Sequence, residues 1–403
     1  MKKIILLTLL TFIITTLLTS EIFSIPAFAR KYNMTCKTCH SPFPKLKPYG
    51  DEFAGNGFVL KDQDAPRYFV ETGDPELSLI RDLPLALRLE GHVTYNQNNS
   101  EQSDFSTPLL FKLLTGGAIA KDVAYYVYYI LENGERGKIE DAWIMFNNLF
   151  GSELDLTLGQ FQLCDPLFKR ELRLTRDDYY IYKVRPGASN VDLTYDRGVM
   201  LSYGFESGTD ISLQIVNGSG IGEGFATGNF DDDKYKNFMG RISQDIGEHL
   251  RIGAMGYYGR EAREYTADNN DIFSLDNELW MIGGDLTLSL EPIELNVQFI
   301  ERNDDKPLYF NQSTPSPAVV LDYSIKTRGA FAELIYLPKG DDSKWYAVGL
   351  FNWIESDFSD LNYKTLSGHL GYVFRRNIRM VAEVNYDFTH EYAKFGVGFI
   401  TAF

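Results

Sequence analysis

The chain has 403 residues, 55 Asp and Glu against 39 Lys and Arg, and a formal charge of −16. That acidity argues against nucleic acid as a partner and against anion-selective transport, and it suits cationic partners or metal ions. Aromatic residues make up 14%, proline is sparse, and there are three cysteines.

Met1-Lys2-Lys3 is a short basic start, and Ile4 to Leu18 is almost wholly apolar. This is the length of a signal-peptide core and short for a membrane-spanning helix. Ala27-Phe28-Ala29 fits a small-x-small cleavage site, so residues 1–29 read as a leader, with cleavage possible a few residues earlier. Such a leader sends the chain to the periplasm, where thiols tend to oxidise.

Residues 30–83 carry the motif Cys36-Lys37-Thr38-Cys39-His40. Two thiols at this spacing can each add across one vinyl group of haem, and the histidine after the second then serves as an axial iron ligand. The competing readings are a redox-active pair, which should open a helix in a βαβ setting, and half a zinc site, which needs further Cys or His nearby. Neither context is present, so Cys36 and Cys39 are expected to hold one covalent c-type haem and His40 to ligate its iron. Cys164 is left without a partner and reads as a small packed thiol. Past the motif, Pro48 opens a short helix that Gly55 or Gly57 closes, with Phe53 on its apolar side. About fifty residues with one short helix cannot enclose a haem alone, so the remaining walls must come from the rest of the chain.

Residues 84–403 show period-two alternation, as in Ile293-Glu294-Leu295-Asn296-Val297-Gln298-Phe299 and Val384-Asn385-Tyr386-Asp387-Phe388. Alternation puts apolar side chains on one face of a strand. Strands are predicted at 84–97, 107–120, 123–133, 137–148, 153–163, 197–206, 210–217, 237–246, 250–260, 276–290, 293–303, 326–337, 344–356, 362–375, 378–388 and 392–403, sixteen in all. Tight turns such as Lys121-Asp122 and Glu291-Pro292 alternate with long connections at 164–196, 218–236, 261–275 and 304–325. An even strand number with short turns on one side and long loops on the other is the pattern of an outer-membrane barrel. The terminal Phe403, preceded by alternating apolar residues, fits the same class. The expected fold is therefore all-β: a transmembrane antiparallel barrel of about 16 strands, with residues 30–83 as a haem-binding plug in its periplasmic half. Tyr125, Tyr126, Tyr128, Tyr129, Trp143, Trp280, Trp345 and Trp353 are candidates for interfacial girdles.

The stretch from Ile25-Pro26-Ala27-Phe28-Ala29-Arg30 through Cys39-His40, then Phe43-Pro44, Leu46, Tyr49-Gly50, Phe53 and Asn56-Gly57-Phe58, resembles the head of the fused outer-membrane cytochrome–porins. The resemblance covers residues 25–58, while the barrel matches in architecture. It implies one c-type haem ahead of a porin-like barrel, and extracellular electron transfer of the kind known from bacterial iron(II) oxidation.

A sixth iron ligand would help set the redox potential. Along Leu87 to Tyr95, His92 shares the lumenal face with Arg88 and Glu90, and it is the first candidate. His369 points inward beside Ser367, and lumenal Met200, Met239 and Met255 are alternatives, while His249 and His390 sit in connections. Asp231-Asp232-Asp233 and Asp304-Asp305 read as acidic loop clusters able to concentrate cations at the mouth. The 164–196 loop can fold inward and narrow the channel. The leading functional expectation is an outer-membrane protein that passes electrons from an extracellular donor, Fe(II) or another small reductant, to a periplasmic carrier such as a soluble cytochrome. Iron(II) oxidase activity would be its enzymatic form. The rivals are a passive diffusion porin with a structural or sensory haem, and a soluble all-β periplasmic cytochrome.

Overall fold

The computed structural model describes residues 27–60, 69–70, 72–98, 102–222, 228–231, 233–266, 272–309, 319–320 and 324–403. The expected leader core and Asp232 lie outside them. Sixteen strands close into an antiparallel barrel: β1 (Leu85–Asn96), β2 (Ser103–Ala120), β3 (Val123–Glu132), β4 (Lys138–Leu149), β5 (Leu154–Gln162), β6 (Tyr195–Gly204), β7 (Thr209–Val216), β8 (Asn237–Ile246), β9 (Leu250–Thr266), β10 (Ile272–Leu290), β11 (Ile293–Asp304), β12 (Ile325–Tyr336), β13 (Trp345–Ser356), β14 (Tyr363–Arg375), β15 (Ile378–Asp387) and β16 (Tyr392–Ala402). Each pairs with its neighbours in sequence, and β16 pairs with β1 to close the wall. No helix among the described residues is long and apolar enough to cross a membrane; the strands cross instead.

The alternation resolves as the pattern of a lipid-embedded wall. On β14, Leu366, Leu370, Tyr372 and Phe374 are exposed on the outside, while Thr365, Ser367 and His369 are buried inside. On β1, Val93 and Tyr95 face outward, and Glu90 and His92 face inward. An apolar exterior around a polar interior is stable only with hydrocarbon outside. The chain is a transmembrane barrel of the Gram-negative outer-membrane type.

Aromatic pairs mark both rims. Tyr336 packs on Trp345 at 5.7 Å near the short turns, and Tyr95 on Phe395 at 6.3 Å near the long loops. Three girdle candidates turn out to be lumenal. Tyr126 and Trp143 pack with Phe58 of the N-terminal segment, and buried Tyr128 donates to Glu171 at 3.1 Å. Register shifts between Ala118 and Ala120 and between Tyr128 and Tyr129 change the phase of this part of the wall.

Among the described residues, two segments occupy the lumen. The connection from β5 to β6 folds inward and packs Leu163, Leu167, Tyr179, Ile181, Tyr182, Val184, Val191 and Leu193 against Met239, Met255, Leu279, Met281, Phe331, Leu350 and Ile354 of the wall. Tyr179 stacks on Phe331 at 4.2 Å. Buried Arg302 donates to the carbonyls of Val184 (3.1 Å) and Val191 (2.6 Å), clamping the insert's return. Cys164 is fully buried here and donates to Gln162 at 3.2 Å, the packed thiol expected of it.

The second segment is the N-terminal plug: α1 (Ala27–Tyr32), α2 (Cys36–Cys39) and α3 (Pro48–Gly55). Pro48 supplies the first turn of α3, and Phe53 is buried against Phe28, Tyr32 and Phe58. Ala27-Phe28-Ala29 is helical, with Ala27 buried and Phe28 stacked on Phe58 at 4.6 Å. The plug sits at the end with the short turns, which is the periplasmic end. Lys45 pairs with Glu294 at 2.9 Å, Lys47 with Asp341, and Lys37 with Asp342. Asn147 donates to the Asn56 carbonyl at 3.0 Å.

Candidate functional site

Cys36 and Cys39 lie on the single turn of α2, half-buried and unbridged. The chain then leaves as an extended residue: His40 N–H donates to the Cys36 carbonyl at 2.9 Å, and His40 pairs with Leu46 in an isolated bridge. Lys47 N–H returns to the Cys39 carbonyl at 2.8 Å, which brings α3 onto α2. Gly50 is required at that contact, because an added Cβ would stand 2.2 Å from the Cys39 carbonyl oxygen.

The His40 ring is oriented by its own loop. Its Nδ1 lies 2.8 Å from the Pro44 carbonyl, and a carbonyl only accepts, so Nδ1 carries the proton. Nε2 is therefore the nitrogen with a free lone pair. A donor bond from the far ring nitrogen is how metal-ligating histidines are held. Burial pushes the imidazole down to about 4, so it is neutral, the ligating form, at neutral pH. Burial also raises both thiols above the ordinary cysteine range. An activated redox pair would show the opposite shift. Among the described residues, no group of three Cys, His, Asp or Glu side chains gathers to hold a metal ion by itself, so a zinc reading gains nothing.

The motif faces a cleft walled by Phe43, Leu337, Val373, Arg376 and Arg379. Its free volume is about 20 Å³, well below the roughly 300–1,000 Å³ of a small-molecule site. Phe43 fills much of the space, its ring 5.1 Å from His40 and 6.0 Å from the Arg379 guanidinium carbon. The donor set fits a thioether-linked haem: two free thiols on one turn, an imidazole with Nε2 available, and a buried cation opposite. Seating a macrocycle requires Phe43 and its loop to give way.

His92 does not line this cleft. It belongs to a neighbouring lumenal group with Glu383, His369 and Arg176. His369 Nδ1 lies 2.9 Å from Glu383, which also accepts the backbone N–H groups of Arg176 (2.6 Å) and Asp177 (2.9 Å) of the insert. The rings of His92 and His369 each keep one buried nitrogen without a hydrogen-bond partner, Nδ1 and Nε2 respectively. The alternative sulfurs of Met239 and Met255 are buried in the core of the insert, with Met200 packed against it.

Of the two acidic clusters, Asp231, Asp233 and Asp304 are tied into the fold, Asp305 is exposed, and Asp232 lies outside the described residues. Asp304 is a fully buried lumenal residue of β11, held by Arg302 at 2.7 Å. Asp231 pairs with Lys236, and Asp233 accepts from the Ala262 N–H at 2.8 Å. Arg379 is the site residue that sequence reasoning missed. Its only signal was a cation at an inward position of a strand next to the seam.

No family model matches the chain, and no curated protein does. Solved structures match in shape. OmpT of Vibrio cholerae lacking loop L8 is 13% identical, with a TM-score of 0.54 over 80% of this chain and 99% of that one. OmpF of Salmonella typhi in complex with daunomycin is 12% identical, with a TM-score of 0.54 over 80% and 97%. OprB of Pseudomonas putida is 10% identical, with a TM-score of 0.54 over 91% and 99%. At these identities the likeness is one of fold, and the fold is that of the outer-membrane porins.

Proposed function

We propose that this porin-like barrel is an outer-membrane electron-transfer protein in which Cys36 and Cys39 hold one c-type haem and His40 ligates its iron. When bound, the haem supplies one-electron redox chemistry. His40 is held by Pro44 with Nε2 free, and the Arg379 guanidinium lies across the cleft. The observation that carries the reading is the placement of the Cys-x-x-Cys-His turn: it stands inside the periplasmic mouth, within reach of a soluble carrier docking there. The donor is extracellular, Fe(II) or another small reductant entering from the long-loop side. The likeness of residues 25–58 to the cytochrome–porins supports the same reading.

A second reading, a diffusion porin with a structural haem, draws on the porin fold of the structural neighbours. Against it stands the lumen, which the insert narrows by folding inward against β5 and β7 to β13. Stopped-flow reduction of the purified protein by Fe(II), paired with conductance in planar bilayers, separates the two. Rapid appearance of a reduced c-type spectrum with little conductance is expected. A spectrum that Fe(II) leaves unchanged, in a protein that conducts ions freely, overturns the electron-transfer reading.

A further inference from the structure

Four lumenal arginines share one habit. Arg170, Arg185, Arg241 and Arg302 each turn the Nε and Nη2 edge of the guanidinium onto a single aspartate, respectively Asp178, Asp192, Asp285 and Asp304. That edge presents two parallel N–H groups matched to the two oxygens of a carboxylate. Arg88 and Arg173 each leave Nε alone without a hydrogen-bond partner, and Arg379 departs furthest. It is fully buried, its Nη1 donates to the Tyr346 hydroxyl, and its Nε and Nη2 have no hydrogen-bond partner. The carboxylates around the cleft are committed elsewhere, Glu90 to Arg88 and Asp341 to Lys47. A buried cation with its carboxylate-binding edge unfilled is costly unless an anion completes it.

We propose that the Nε and Nη2 edge of Arg379 is a carboxylate site, and that its occupant is a propionate of the porphyrin anchored at Cys36 and Cys39. The inference rests on the haem reading above. It adds an orientation: the propionate edge is turned toward the foot of β15, beside the short turn at Arg376-Asn377. Phe43, lying between His40 and Arg379, is the side chain that the macrocycle replaces. Arg379 thereby acts as a positioning residue that also holds positive charge beside the iron, favouring the reduced state.

Purified wild-type, Arg379→Gln and Arg379→Lys proteins test this by pyridine haemochrome, midpoint potential at pH 7 and the propionate bending band in resonance Raman. The Gln variant is expected to keep its haem, shift that band and favour the oxidised form about tenfold, which is 59 mV for one electron. The Lys variant is expected to lose less than half of that. A coloured Gln variant with wild-type potential and band overturns the inference and leaves the haem reading standing. A colourless wild-type protein overturns both. Should the Gln variant not assemble, exchange of the wild type into D2O decides: a guanidinium-bound propionate shifts its band, and an unshifted band refutes the site.

Discussion

The insert between β5 and β6 and the plug ahead of β1 both fill the barrel, but they are held by different forces. Tyr179, Tyr182 and Ile181 of the insert interdigitate with Phe331, Leu350 and Ile354, and its charges are buried in pairs such as Arg170 with Asp178 at 2.9 Å. The plug has a small aromatic cluster, and its charges meet the wall through Lys37 and Lys47 at the wet rim and through a half-buried Lys45. Buried apolar surface gives about 25 cal/mol per Å², whereas exposed ion pairs give roughly 0–1 kcal/mol each. The insert is thus a fixed part of the wall, and the plug is a docked piece whose position a bound group can adjust. On the proposed reading, a constriction and an adaptable haem cradle are different tasks, divided between the two segments.

The sharpest break in that comparison comes from the plug's thiols. Replacing Cys36 and Cys39 together with Ala is expected to abolish covalent haem, read as loss of its mass on the intact chain. The heat-modifiable migration of the folded barrel should be unchanged, because neither side chain packs in the wall. Next in size is Phe331→Ala, which removes the ring under Tyr179 and Phe168. A loss of about 3–5 kcal/mol is expected for a buried Phe, seen as faster hydrogen exchange at residues 179–182 and a rise in conductance. If exchange stayed as slow as in the wild type, the insert would not depend on that core.

Smaller effects sharpen the contrast. Asp165, in the insert, is pushed up to about 6 by burial, against an ordinary value of 3.8. The folded state therefore binds the proton more tightly than the unfolded one, and the stability of the insert falls as pH rises from about 4 to about 6. Above that range the penalty is complete. Partial exposure reduces it to on the order of 1–2 kcal/mol, and Asp165→Asn should flatten the pH profile of exchange. The smallest change is expected from Lys47→Ala at the rim, less than about 1 kcal/mol. Protease nicking of the plug should rise only slightly, and added salt should reproduce the effect. A large response would mean that the rim pairs, and not the Phe53 cluster, seat the plug.

The wall was legible because a half-lipid, half-lumen strand must alternate, and turns such as Glu291-Pro292 punctuate it. All sixteen strands are present near their expected places, although β9 and β10 pair on through most of the connection expected at 261–275, and His92 and His369 face the lumen as their phase required. The inward fold of the long 164–196 loop was also readable, and so was the docking of residues 30–83 in the barrel, because so short a segment cannot enclose a haem alone. Tyr126 and Tyr128 were beyond the pattern because β3 is apolar or aromatic on both faces, so alternation cannot tell which face turns inward. Asp304 looked like a loop tip because its partner Arg302, two residues back on the same face, could not be distinguished from any other polar wall residue. Arg379 was beyond the pattern for the same reason: alternation tells which residues point inward, and nothing about which of them meet.

The seam between β16 and β1 has a consequence for manufacture. Phe403 exchanges backbone hydrogen bonds with Leu87, so residues 402–403 fasten beside the first strand, and the plug precedes that strand in the chain. A cylinder sealed between its two ends encloses whatever its leading segment already carries. On the proposed haem reading, attachment at α2 would be simplest on the still-open polypeptide, before the plug is docked in the closed wall.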